Sequence, residues 1–510
     1  MATVGTVVVV GAGPVGLTLA GRLARHGVPV TVLEAGERLR GEGSRALCMQ
    51  RETLEVWARL GVGEQVAARG RHWTVGRTYY RDRELFTIRL PSSADDHFPP
   101  FVNVSQTEVE RLLLARVEEL GVTVHWGRPV TGLQRYADGV RLDTPDGPVE
   151  GAYAVGADGS RSTVRTLLGV GFPGHSFTDR FLIADVRTDL PFPDERRFFF
   201  DPAFNPGRTV LVHPQPDSVW RIDWQVPPEV DAEVERTSGG LDRRIRAVVG
   251  DRDYELVWLT AYRFSQRLAD HFRVGPVFLA GDAAHVMSPF GARGLNSGVA
   301  DAENLAWKLA LVLAGRAPDP LLDTYETERR AAAVENLAVT AATMRFMVPA
   351  SPLRRRLRNA VLRGSVRVPA LRRRVNSGRL AEPFRYAGSP VVQPGLGGVA
   401  PDAPLPGGGR LRDLLGGGFV GLLVGPDGTG PDGVAAVPAD SAVGRRYAPG
   451  GVPAGGRLWL IRPDGHLAAR RDPDPGQDLG PLLAELAAAA SGWPVQARNG
   501  RQDSLRSHDP

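Results

Sequence analysis

Cysteine occurs once in the 510 residues, as Cys48. That excludes an internal disulfide and a cluster of thiolate metal ligands, and it suits a reducing compartment. Long apolar runs are missing too. Val4 to Val10 has no basic stretch before it and runs straight into Gly11-Ala12-Gly13, which is not a signal-peptide layout. No run reaches the roughly 18 to 20 apolar residues of a membrane helix. Charge of one sign is scarce: the net +5 is dispersed over many Arg and Asp residues, without the concentrated basic footprint of a nucleic-acid binder. His, Asp and Glu nowhere show metal-ligand spacing. No Gly-x-Ser-x-Gly elbow and no solenoid period is present. These absences predict a cytoplasmic protein with no metal, nucleic-acid or membrane partner. Arginine far outnumbers lysine, and Ala, Gly and Pro are abundant, which reads as genomic composition bias. The 42% hydrophobic and 23% charged content is that of a globular chain. At roughly 150 residues per domain it has room for about three domains and a core able to enclose a cofactor.

Hydrophobic periodicity predicts a strand over Thr6 to Val10, a helix over Pro14 to His26 and a strand over Val28 to Leu33, a strand–helix–strand unit. Further helices are expected over Arg51–Leu60 and Glu108–Leu120, and strands over Val122–Trp126, Val130–Leu133, Gly139–Leu142 and Ala152–Ala157. From Phe172 to about Phe264 the pattern changes to short alternating runs with many aromatics, as in an antiparallel sheet over a pocket. A buried strand returns at Pro276–Ala280, followed by helices over Leu295–Leu313 and Pro318–Arg345. Arg354–Arg374 is basic and helical; it reads as a solvated helix rather than a surface for an anionic partner. Gly388–Gly409 is a Gly/Pro linker. The strands Phe419–Val424 and Arg457–Ile461 and the helix Leu479–Ala490 then make a small C-terminal α/β domain.

Three turns at strand ends carry the chemistry. In Gly11-x-Gly13-Pro14-Val15-Gly16, Gly11 permits a tight turn, Gly13 admits a pyrophosphate, and Gly16 lets helix pack on strand, so that the helix N-terminus points at phosphates. Glu34 and Ala35 close the second strand about 20 residues on, where a carboxylate accepts from ribose hydroxyls and disfavours a 2′-phosphate. The second turn is Gly156-Ala157-Asp158-Gly159-Ser160-Arg161-Ser162. The third is Ala280-Gly281-Asp282-Ala283-Ala284-His285. Ligands of open α/β sheets gather at such carboxyl ends. No second Gly-x-Gly-x-x-Gly stands between a predicted strand and a predicted helix, so no second dinucleotide domain is expected.

GAGPVG, GADGSRSTVR and LAGDAAHVMSPFGARGLNSGVADAENLAWKLA, in that order, resemble the para-hydroxybenzoate hydroxylase-like FAD monooxygenases over residues 4 to 345. LIRPDGHLAAR resembles the thioredoxin-like tail of the phenol and polyketide hydroxylases, here without Cys-x-x-Cys and hence without dithiol chemistry. The resemblance implies an α/β fold in which a Rossmann-like FAD-binding domain (1–171 and 271–387, the latter with the long helices) is interrupted by an antiparallel substrate sheet (172–270) and followed by a thioredoxin-like domain (388–510). It implies FAD as cofactor, NADH or NADPH as a transient co-substrate, and O2 with a small aromatic molecule as substrates. The expected reaction is hydroxylation through a flavin C4a-hydroperoxide in a chamber that excludes water. Asp282 is expected on the ribitol–pyrophosphate, Asp158 and Gly159 at a turn shared by FAD and the nicotinamide, and Gly294, Leu295 and Asn296 under the pyrimidine ring. Arg45, Gln106 and Val130 complete the expected FAD contacts. Pro289 and Phe290 are expected to bound the chamber.

Arg293 departs from the family's Gly-Gln-Gly. It either adds a cation near the flavin edge, for an anionic substrate or for tuning, or faces the ribityl chain or solvent. His213 and Tyr262 either bind a phenol oxygen or belong to the sheet core. His285 reads as support for its turn, and Trp220 and Trp224 share one side of a strand, as core or as substrate wall. Arg81-Asp82-Arg83 reads as a turn. The rival activities are Baeyer–Villiger insertion or epoxidation on a polyketide, an FAD reductase that ignores O2, and a flavin-binding regulator. Oligomeric state is open, a homodimer being one arrangement.

Overall fold

The protein is described by a computed structural model covering residues 5–39, 46–93, 95–289, 291–347, 351–365, 382–425 and 434–492, with 349, 368 and 428. Four all-apolar or nearly apolar segments, Val7–Val10, Val30–Leu33, Tyr153–Gly156 and Val277–Leu279, run parallel in one sheet, extended by Thr123–His125 and the short Arg273–Val274. Such uninterrupted β-branched runs suit a strand covered on both faces. Val7–Val10 lies between Val30–Leu33 and Tyr153–Gly156 in matched register, so Gly11, Glu34 and Ala157 emerge at the same edge. The helix Pro14–Arg25 covers one face and packs against the long helix Gly294–Leu313.

The second sheet has seven strands in the order 255–262, 180–187, 219–226, 209–214, 196–200, 75–80, 83–89. The last two come from residues 75–89, which the sequence reading placed within the FAD-binding segment. Their hairpin turns at Arg81, φ 54°, where a turn was expected, and Val75–Tyr80 joins the sheet by pairing in parallel with Arg196–Phe200. One face of this sheet is apolar and packs Val210, Val212, Ile222, Trp220 and Trp224 against the helix Gly240–Val249. Trp220 and Trp224 are therefore core on the side away from the charged face described below. The opposite face carries Phe181, Phe198, Phe200 and Leu211, covered by Met344 and Met347 of the helix Asp323–Met347 and by Leu362 of Pro352–Ser365. The C-terminal part of the basic Arg354–Arg374 segment lies outside the described residues.

The C-terminal unit has four strands in the order 434–438, 420–425, 457–461, 467–471. The first pair is parallel and the others antiparallel, with the helix Leu479–Ala490 where it was expected. It is joined to the rest by buried charge. The Glu328 carboxylate accepts from Arg462 at 2.6 and 2.9 Å, from Lys308 at 2.8 Å, from Asn304 at 2.6 Å and from Ser389 at 2.6 Å. Lys308 is the only lysine in the sequence. Arg462 also pairs with Asp464, which accepts from Trp307 Nε1. Burial alone would raise the Glu328 pKa, but Arg462 and Lys308 outweigh it and hold the carboxyl well below its ordinary range.

Removing one member of such a network leaves the others buried and uncompensated, which costs about 3–5 kcal/mol. Glu328→Ala is expected to lower unfolding stability by that amount at pH 7, measured by denaturant titration. Because the folded pKa is depressed, the stabilisation is present above the unfolded value of about 4.3 and is lost as pH falls toward the folded value. The difference between wild type and Glu328→Ala should therefore shrink below about pH 4; a difference independent of pH would refute the assignment.

Candidate active site

The three turns meet around Val15. Gly11, at φ +107°, brings its backbone so close to the second turn that a Cβ there would lie 2.5 Å from the Ala157 carbonyl oxygen. A Cβ at Gly16 would lie 1.9 Å from the Gly11 carbonyl oxygen, so no other residue fits. Gly13 is the reverse case: its added Cβ would meet nothing within 4 Å, leaving open space at the start of the helix. Ala280 N donates to Gly156 O at 2.9 Å, joining the second turn to the third. Gly281 of the third turn and Gly298 of the long helix both press on Val15. Arg165, the last residue of the second motif, donates to Ala283 O at 2.9 Å and to Ser160 O at 3.0 Å, and stacks on Phe172.

The residues around this junction fit a dinucleotide. The helices Pro14–Arg25 and Gly294–Leu313 both begin without a side-chain cap, whereas Ser105 and Asp231 cap helices elsewhere. Uncapped first-turn amides and the helix dipole favour an anion. Glu34 is fixed by accepting from Ala12 N at 2.7 Å and Gly36 N at 2.8 Å, which leaves its remaining lone pairs for hydroxyl donors. Ala35 beside it is exposed, and the 127–130 segment that ends in buried Val130 folds back on it through Gly127 N to Gly36 O and Arg128 N to Glu34 O. Asp158 Oδ2 accepts from Val164 N at 3.1 Å, while its Oδ1 is buried without a hydrogen-bond partner. Asp282 stands on the exposed side of its turn. Gln106 accepts from Ala46 N at 3.2 Å and donates to Glu110. Arg45 and Phe290 lie outside the described residues.

His285 is a support, as read from the sequence. Its Nε2 lies 2.7 Å from Asp301 Oδ2, which also accepts from Gly281 N. Asn296 stitches the helix Gly294–Leu313 to the strand Cys48–Gln50, accepting from Gln50 N and donating to Cys48 O, both at 3.0 Å. Exposed Pro289 and the residues Gly291 (φ +96°) and Ala292 (φ +52°) form the turn before that helix. The structure turns Arg293 inward rather than to solvent. It is buried and donates to Asn336 on the neighbouring helix, because an enclosed guanidinium needs an acceptor and that amide supplies one.

Ala292 packs with Cys48, Trp73 and Phe101, the two rings stacked 4.9 Å apart. On the facing sheet, register places Arg196, His213, Arg221 and Asp223 on one side. Cys48, Arg196 and Asp223 lie deep in the protein, yet each keeps some accessible surface, and Cys48 lies within electrostatic reach of the other two. Burial, and then Arg196 and Arg221, hold His213 well below its ordinary value, so the imidazole is neutral. Burial and the Asp185 carboxylate push Asp223 up to about 7, against Arg221. Arg221 itself is engaged by Asp185 at 2.8 Å through both Nε and Nη2. Tyr262 lies on the same face beside Phe264. Three strand spacings and four residues separate it from His213, roughly 20 Å between Cα atoms, so the two do not share one ligand oxygen. Arg196 and Asp223 went unnoticed in the sequence because alternation marks a shared face without saying what it confronts.

A sequence model described as an FAD binding domain matches residues 5–340. The chain belongs to this family of flavin-dependent monooxygenases. The monooxygenase is 38% identical to rifampicin monooxygenase of Streptomyces venezuelae over 348 residues, 67% of this chain and 71% of that protein. It is 34% identical to 6-methylpretetramide 4-monooxygenase of Streptomyces rimosus over 533 aligned positions, 91% and 90% of the two chains. The ternary complex of aklavinone-11 hydroxylase with FAD and aklavinone superposes with a TM-score of 0.75 at 26% identity, covering 96% of this chain and 99% of that one. FAD is the cofactor. No helix among the described residues is long and apolar enough to cross a membrane.

Gly16→Ala places a methyl group on a backbone carbonyl and should displace the first turn. The expected result is folded enzyme with at least tenfold weaker FAD retention, read as flavin absorbance per protein after gel filtration. Full occupancy would sink this account of the turn.

Proposed function

We propose that the enzyme hydroxylates a phenolic, and specifically a polycyclic aromatic, substrate with NAD(P)H and O2. The observation that carries this is the set of polar groups Arg196, His213, Arg221 and Asp223 on the sheet face near Cys48 and Ala292, which we read as the wall of a substrate chamber. Polar groups enclosed on an otherwise aromatic face suit a ring bearing hydroxyl groups. Alignment of 91% of the chain with 90% of an enzyme named for 6-methylpretetramide favours a fused-ring substrate over a single-ring acid. The C-terminal unit reads as a thioredoxin-like fold, supported by its strand order and directions. Cys48, the sole cysteine, lies outside it, so its contribution is structural.

The redox chemistry, hydride acceptance and O2 activation, would be supplied by FAD when bound. The chain's own residues do the rest. The first-turn amides of Pro14–Arg25 would receive the pyrophosphate, with Glu34 on the ribose and Asp282 and Asp158 at the neighbouring turns. The uncapped amides of Gly294, Leu295 and Asn296 would stabilise negative charge on the pyrimidine edge. Trp73, Phe101 and Ile88 exclude water on the sheet side.

Asp282→Ala should purify largely colourless; a fully yellow variant would overturn the role given to that carboxylate. In a screen of fused-ring phenols, NAD(P)H consumption should match a product heavier by one oxygen atom. Oxygen inserted into a ring C–C bond, resolved by NMR, would favour the Baeyer–Villiger reading. Complete indifference of NAD(P)H oxidation to every aromatic compound would overturn the proposal.

A further inference from the structure

The chamber wall holds one carboxyl group with nothing to do in the resting fold. Asp223 Oδ1 is buried and makes no hydrogen bond. Its neighbours on the sheet explain why. Arg221, two residues away on the same face, is committed to Asp185, which also accepts from Gln215 at 2.7 Å. His213 sits beyond Arg221 in register and is neutral. Arg196 lies two strands away and pairs with no carboxylate among the described residues. Across the chamber, Cys48 is the group that feels Arg196, Arg221 and Asp223 together. A buried carboxyl left unsatisfied is costly to keep unless a ligand completes it.

We propose that Asp223 binds the substrate's phenolic hydroxyl and receives its proton on Oδ1, leaving the ring oxygen as an oxyanion in the field of Arg196 and Arg221. This rests on the aromatic-hydroxylase reading above. The transfer balances without any other reactant: the substrate O–H bond breaks, an O–H bond forms on the carboxylate, and the negative charge moves from Asp223 to the ring oxygen. No electrons change hands in this step. An ionised ring oxygen makes the carbons ortho and para to it more nucleophilic, so the proton transfer prepares the ring for oxygen attack. His213 cannot serve as well, because burial, and then the Arg196 and Arg221 guanidinium groups, oppose its taking a proton. The midpoint of Asp223 near neutrality supports the assignment, since a proton acceptor works best with an affinity near the operating pH.

The test uses the FAD-loaded enzyme and two readouts. In the first, 4-nitrophenol and 1,8-dihydroxyanthraquinone are bound to the oxidised enzyme without NAD(P)H, and the phenolate absorbance is followed against pH. Wild type should bind the phenolate at lower pH than free solution shows. Asp223→Asn should move that midpoint up by at least one pH unit, a tenfold loss in bound phenolate at pH 6.5. In the second, hydroxylation by Asp223→Asn should fall about 100-fold at pH 7 and recover as pH rises and the substrate ionises in solution, with NAD(P)H oxidation diverted to H2O2. Asp223→Glu keeps a carboxylate and should retain ionised probe with a shifted midpoint, which covers the case in which the Asn variant loses flavin. An unchanged midpoint in both variants, an unchanged pH profile, or absence of a phenolate band in wild type overturns the proposal. If wild type yields no oxygenated product from any phenol while still ionising the probes, the aromatic-hydroxylase reading fails and Asp223 keeps its role in binding.

Discussion

A single buried carboxylate, Asp301, holds the flavin fold in register. It is fully enclosed, accepts from Gly281 N and His285 with Oδ2, and from Arg329 Nε at 2.7 Å with Oδ1. Burial alone would raise its pKa, but His285 and Arg329 outweigh that and keep it ionised. The bond to Gly281 fixes the third strand-end turn against the long helix, which leaves Gly298 no room for a side chain beside Val15. The bond to Arg329 fixes the second long helix, whose guanidinium also reaches Ser297 O and the Tyr386 hydroxyl. One charge therefore positions the third strand-end turn, the helix Gly294–Leu313 and the helix behind it.

The residue beside Arg329 extends the same logic outward. Glu328 carries the network to Arg462 and Asp464 of the C-terminal unit, and Arg22 on the first helix bridges Glu303 to the Gly416 carbonyl. The first dinucleotide helix, both long helices and the last domain thus share buried ion pairs. Such pairs add little net stability over apolar packing, yet they are expensive to break and tolerate few alternative arrangements. They specify where the C-terminal unit sits more than how strongly it is held.

Much of the nucleotide half was legible because its signals are local. Gly11, Gly16, Glu34 and the Asp-containing turns are read within a few residues of the strands they follow, and Leu479–Ala490 was bounded by its own composition. The helix Gly294–Leu313 shows where local reading stops. Asp301, Glu303, Asn304 and Lys308 are polar residues of one helix, yet all four are buried, because partners 20 to 281 residues away in the chain, Glu328, Arg329, Asp464 and Arg22, close over them. The hairpin of residues 75–89 was misplaced for a related reason: Val75–Tyr80 alternates as any half-buried strand does, and its partner Arg196–Phe200 is more than a hundred residues on.

The substrate sheet divides stability from chemistry by face. Along Val219–Val226, Trp220, Ile222 and Trp224 point into apolar packing beneath the helix Gly240–Val249, while Arg221 and Asp223 point the other way. Alternation alone assigns these two sets but cannot rank them, because aromatic residues are common on both sides. The distinction appears only in what covers each face: a helix packs apolar side chains over one, whereas the other, beside its cover of Met344, Met347 and Leu362, brings Arg221 and Asp223 near Cys48. A fold selected for stability alone would line that region with apolar side chains or pair its charges. Here Asp185 and Arg221 satisfy each other, whereas Asp223 and Arg196 do not. Unpaired polar groups on the sheet face that Cys48 confronts are costly to keep, and a ligand that completes their hydrogen bonds removes that cost.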